Sequence, residues 1–295
     1  MSRSFPSLHT GSGDKSKKWL IRIIWISSIF VMLGRGLHCL FFDIPIRSLV
    51  WDEAWMGWFA RFYGWTWGEF VTSVAVDHYL YLITIWLGLF YLIAVLITVA
   101  WRKISHWMRQ ITWAGVWVSM VFIAFLYSKE KFFALGQFFE YSLQFGTPYL
   151  LWASFRKREL SERIILYVKI LIALTFASHG LYAIGYYPRP AHFVEMCIHF
   201  FRLSESAAHS LLFWAGILDF VAAIFIFLPK KFMKIGLIYC VVWGFLTAAA
   251  RLAANIYDYR IAETLFLYGP AFLYRVCHFL VPLGLLLHYW KEEKI

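Results

Sequence analysis

Charge is what this sequence has least of. Asp, Glu, Lys and Arg together make up 15% of residues while 61% are hydrophobic. An ordinary water-soluble domain is excluded by that ratio, since charged residues reach about a quarter of such chains. Cysteine is scarce too. The four present, Cys39, Cys197, Cys240 and Cys277, form no CxxC pair and no zinc-finger spacing, which excludes a disulfide framework and a structural metal of that kind. Phosphate-binding glycine loops, dinucleotide fingerprints and Ser-His-Asp signatures are missing, so a soluble-type NTPase or hydrolase is not expected. Acid is outnumbered by base, 17 residues against 28, for a formal charge of +11. The basic residues flank apolar runs and form no stripe on a soluble fold, so the surplus is a topology signal and nucleic acid is not an expected partner.

What is present in quantity is apolar length. A hydrocarbon core of about 30 Å takes roughly 20 helical residues to cross. Runs of that kind lie at 19–42, 78–101, 110–128, 132–154, 164–186, 207–229, 232–254 and 267–290, predicting an all-α integral membrane protein with eight spans. Lys17, Lys18 and Arg22, Arg102 and Lys103, Arg156, Lys157, Arg158 and Arg163, Lys230 and Lys231, then Lys291 and Lys294 occupy alternate connections and the two ends. Positive charge marks cytoplasmic loops. Both termini are therefore expected inside, in a bacterial plasma membrane with the lipid bilayer as partner, and residues 1–18 as a disordered cytoplasmic tail. The long outer connections, 43–77 and 188–205, are rich in Trp and Phe and are expected to form interfacial helices.

The spans repeat. Trp86-Leu87-Gly88 recurs as Trp214-Ala215-Gly216, and Gln144-Phe145 before Pro148 recurs as His278-Phe279 before Pro282, in the same order at a spacing of roughly 130 residues. Residues 19–155 and 156–295 are thus expected to be two four-helix bundles. With an even number of spans in each, the copies insert in parallel orientation.

Ionisable side chains inside spans cost roughly 2.5–3.5 kcal/mol on insertion scales and face the bundle interior. The second copy holds His179, His209, Asp219, Arg251, Asn255, Arg275 and His278, all in the outer half or the centre. One reading makes them an outward-facing polar pocket, in which Arg251, Arg275, Asn255 and His209 bind substrate and His179, His278 and Asp219 move protons. The other makes them glue, with Asp219 neutralising Arg275 and the histidines bonded to carbonyls. The first copy is thinner, and Arg35 is expected to pair with Glu140. Metal ligation by His192, Glu195 and His199, and haem between His179 and His209, are minor alternatives.

The run Phe176-Ala177-Ser178-His179-Gly180, late in the first span of a four-helix unit, resembles the DoxX-like membrane proteins, a superfamily that includes the DoxD subunit of thiosulfate:quinone oxidoreductase and the MauE-type redox-associated proteins. The first copy departs from the motif, with Arg35-Gly36 where the second has His179-Gly180. The resemblance implies a four-helix bundle and association with sulfur or quinone redox chemistry. It implies no agreed catalytic residue. The expected function is a redox-associated protein binding a quinone headgroup or a small acidic or sulfur-containing substrate, with a soluble or membrane redox partner. A transporter or cargo-binding protein, and a structural subunit of a larger membrane complex, are the alternatives.

Overall fold

A computed structural model describes residues 14–157, 161–256 and 260–292. The expected tail up to residue 13, together with Arg158 and Lys294, lies outside them. The described chain is all-helical: α1 (Asp14–Phe41), α2 (Arg47–Val50), α3 (Glu53–Phe62), α4 (Trp67–Thr72), α5 (Val74–Val99), α6 (His106–Glu130), α7 (Leu135–Glu140), α8 (Ser142–Lys157), α9 (Glu162–Ile184), α10 (Ala191–Phe201), α11 (Glu205–Phe225), α12 (Lys230–Ala253), α13 (Ile261–Arg275) and α14 (Cys277–Glu292). Seven helices, counting Ile261–Trp290 as one, are long and apolar enough to cross a membrane. Their surfaces agree with that environment. Only 28% of the apolar stretch of α5 is buried inside the protein, against 61% for α1, so a highly apolar helix turns most of its surface away from protein.

Three expectations need correction. Residues 14–18 are not tail but the first turn of α1. The segment 43–77 holds the three short helices α2, α3 and α4 and not one interfacial helix; Asp52 caps α3 through the Ala54 N–H, and Thr66 and Glu69 form a capping box on α4. The runs at 132–154 and 267–290 are each broken, at Tyr141 and at Val276, where the backbone N–H turns to the carbonyl three residues back. Pro148 and Pro282 follow each break by seven and six residues. A helical proline supplies no N–H and crowds the carbonyl four residues earlier, here that of Gln144 and of His278. Thr147 donates its hydroxyl to the Gln144 carbonyl at 3.3 Å. The His278 carbonyl leans on α12 at Gly244, where a Cβ would meet it at 2.6 Å.

Close helix crossings organise the bundle. The ideal Cβ of Gly180 on α9 lies 3.0 Å from the Gly216 carbonyl oxygen on α11, and that of Gly216 lies 3.0 Å from the Gly180 oxygen. Gly36 on α1 and Gly88 on α5 make the same reciprocal contact, at 3.2 and 3.0 Å. Only residues lacking a Cβ let two backbones approach this closely. α1 also packs on α8, α13 and α14, and α9 on α7, α8 and α14, while α6 lies on α7 and α8 and α12 on α13 and α14. The first helix of each half thus meets the broken helix of the other. Leu20, Ile24 and Met32 of α1, Leu143 and Leu150 of α8, Ile172 of α9 and Val281 of α14 belong to one continuous core.

Candidate functional site

Where the two broken helices and the glycine-crossed pairs converge, the core turns polar. Glu140, the last residue of α7, and Arg275, the last of α13, form an ion pair at 3.1 Å with both side chains under a tenth exposed. The Gln137 amide nitrogen donates to the other Glu140 oxygen at 3.2 Å, and the Tyr182 hydroxyl of α9 donates to the Gln137 carbonyl oxygen at 3.1 Å. The expected Asp219–Arg275 pair does not exist. Asp219 instead accepts the Tyr239 hydroxyl at 3.0 Å, and no cation among the described residues touches it. Arg35 does not pair with Glu140 either: its Nε and Nη2 donate to Gln144 Oε1 at 3.0 and 2.6 Å, and its guanidinium lies over the rings of Tyr274, Tyr141 and Tyr127 at 4.1, 4.8 and 5.6 Å. Both errors have one cause. Depth along a helix can be counted from sequence, but which way the side chain faces depends on how the halves dock, and α13 docks on α1 and near α7.

The pairs on the two sides correspond. Arg35 precedes Gly36 on α1 and bonds Gln144 on α8. His179 precedes Gly180 on α9 and meets His278 on α14, ring centroids 5.4 Å apart and edge to face. Gln144 and His278 are the residues matched in sequence. In the first half the position is filled by a guanidinium. In the second, two imidazoles stand beside a partly open cavity of about 130 Å³, lined by α9, α11, α12 and α14 beneath α10. Its walls are mainly apolar, with Phe176, Phe193, Met196, Leu212, Trp243 and Leu246 among them, so the expected polar pocket is an apolar one with polar groups at set points. Those groups are His179, His278, Arg251, Thr247 and Asp219. Among the described residues, the buried Nε2 atoms of His179 and His278 have no hydrogen-bond partner.

Arg251 is 7% exposed and donates from Nη1 to the Thr247 carbonyl at 2.6 Å. Two residues assigned to binding stand elsewhere. Asn255 turns back to donate to the Arg251 carbonyl at 2.8 Å, closing its own helix end. His209 is half exposed, near Arg189 and Glu205, and is not among the residues that line the cavity beside His179. Arg189 in turn donates to the Ala183 carbonyl at 3.0 and 2.6 Å from Nε and Nη2, beyond the left-handed Gly185 that ends α9. On α10, His192, Glu195 and His199 gather no metal cluster; among the described residues none of three or more His, Cys, Asp or Glu is found. Partial burial, and then the positive field of Arg251 and Arg275, hold His192 below the ordinary histidine range, at about 4. Its ring keeps an exposed edge, so the loss of solvent is incomplete.

Sequence reasoning missed Gln137, Tyr182 and Tyr239. An amide or a phenol in an apolar run carries little signal in a chain with 17 tyrosines. Glu140 was visible as a buried carboxylate, and only its partner was misassigned. No family model matches the chain, and no curated protein or solved structure matches it.

Proposed function

We propose that the chain is an integral membrane protein that binds a compact molecule, a quinone headgroup or a small organic acid, in the cavity between α9, α11, α12 and α14. The observation that carries this reading is a mostly apolar cavity whose lining includes the imidazoles of His179 and His278 and the guanidinium of Arg251. A mostly apolar cavity with a few polar groups at set points is the usual form of a small-molecule site. Size supports a ring or a short chain, since a dry cavity of about 150 Å³ accommodates benzene.

The wider architecture belongs to the same proposal. Residues 135–157 rise about 34 Å at 1.5 Å per residue, enough to make the broken α7–α8 unit an eighth span. The reciprocal crossings Gly36–Gly88 and Gly180–Gly216 support two parallel four-helix repeats. The basic connections support cytoplasmic termini in a bacterial cell, an orientation in which α10 covers the outer mouth of the cavity. Kinship with the DoxX-like proteins, and a redox role, rest on Phe176, His179 and Gly180.

The test is occupancy. Duroquinone and benzoate, added to the purified full chain in detergent, should raise its apparent melting temperature. Ala250→Phe, which fills the cavity from α12, and separately Ala253→Phe near its mouth, should abolish the response while leaving the unliganded protein monodisperse. An unchanged response in both variants would place binding elsewhere and end the proposal.

A further inference from the structure

Charge around the cavity is not balanced. Three guanidinium groups are buried in the described core, those of Arg35, Arg251 and Arg275, and of these Arg251 lines the cavity. Each but one has an answering group. Arg275 has the Glu140 carboxylate. Arg35 has Gln144 and the faces of three tyrosine rings, the nearest centroid at 4.1 Å, and a desolvated cation gains substantially from such faces. Arg251 donates to one carbonyl with one of its five N–H groups, and among the described residues it meets no carboxylate and no ring face. The cavity's own carboxylate is no counter-ion. Asp219 is bonded to Tyr239, twelve residues from Arg251 and so about 18 Å away along α12. A buried charge with no partner is among the most costly features a fold can carry, and this one lines a cavity.

Resting on the cavity reading above, we infer that the natural guest is an organic anion: a carboxylate or comparable acid group on one ring or short chain, its charge held by Arg251 and its apolar part lying among Phe193, Met196 and Leu212. The planar guanidinium matches a carboxylate in two parallel hydrogen bonds. A neutral quinone would leave Arg251 unanswered. An inorganic anion would leave the apolar walls without contact.

Benzoate and benzamide share one shape and differ in charge, so they separate this inference from the cavity reading. Both would be titrated against the full-length protein in detergent at constant ionic strength in sulfate, with dissociation constants from ligand-observed NMR. Benzoate should bind at least tenfold tighter than benzamide. Arg251→Gln should erase that difference, and Arg251→Lys should keep part of it. Arg251→Gln should also melt at or above wild type without ligand, because it removes an unanswered charge. Equal binding of the two probes, absence of benzoate binding, or a preference that survives Arg251→Gln overturns the inference. Should Ala250→Phe still abolish binding of both probes in the first or last case, the cavity reading stands and only the charge assignment falls.

Discussion

Glu140→Leu is the sharpest perturbation of the fold. Glu140 belongs to the first half and Arg275 to the second, and both are nearly sealed from solvent. Removing one member of a buried pair costs about 3–5 kcal/mol, because the surviving charge is stranded, whereas replacing both by apolar groups is often neutral. Glu140 also anchors Gln137 and, through it, Tyr182. For a domain of 150–250 residues each kcal/mol moves the melting temperature by roughly 2–4 °C, so Glu140→Leu should lower it by about 6–20 °C. Arg275→Met added to Glu140→Leu should recover most of that, and Glu140→Gln, which keeps an acceptor, should fall between. Asp219→Asn should shift it little, since a neutral amide oxygen still accepts from Tyr239. The assay is thermal unfolding of the detergent-solubilised chain, followed by size-exclusion recovery. A Glu140→Leu shift below about 2 °C, or a double variant no better than the single, would refute the claim that this pair joins the halves.

Other expectations follow from the same contacts. Gly216→Val should sharply reduce folded yield, because its Cβ would lie 2.8 Å from Ile184 Cγ2 and 2.9 Å from Ala183 Cβ, while Gly68→Ala, with nothing within 4 Å, should be silent in the same yield comparison. Lys129, bonded to Asp52, holds that carboxyl below its ordinary range. Its lower value in the folded state means that the contribution is present above the unfolded carboxyl value, about 3.9, and is lost as pH falls through the folded one. Melting profiles of wild type and Asp52→Asn should therefore differ at pH 6 and converge on acidification; a gap that persists below the carboxyl range would contradict the assignment. His278→Gln copies the Gln144 of the first half and should leave the melting temperature within about 2 °C while weakening benzoate; unchanged benzoate affinity would return His278 to a packing role.

The membrane character was legible from composition and run length, because a bilayer imposes a length and a polarity that any spanning helix must meet. The match of Gly88 with Gly216 was legible too, and it marks two equivalent backbone crossings. Partner choice was not. Arg35, Glu140, Asp219 and Arg275 were all recognisable as buried, but helical counting yields depth and no azimuth, and the docking of α1 on α13 and of α9 on α7 decides which charges meet. The breaks at Tyr141 and Val276 left no mark of their own beyond prolines a few residues on. The cavity was invisible for a further reason: it is an absence of atoms, set by the small Gly244, Ala249 and Ala250 on one wall and by where α10 settles over the other.

The most direct measurement is a crystal structure of the full-length protein soaked in 4-bromobenzoate, with data collected at the bromine absorption edge. The account predicts one dominant anomalous peak between α9 and α12, beneath Phe193 and Met196, with the carboxylate in contact with the Arg251 guanidinium, and no such peak in Arg251→Gln crystals. Bromine found only on the lipid-facing surface, or in the cavity with its carboxylate turned away from Arg251, would contradict it.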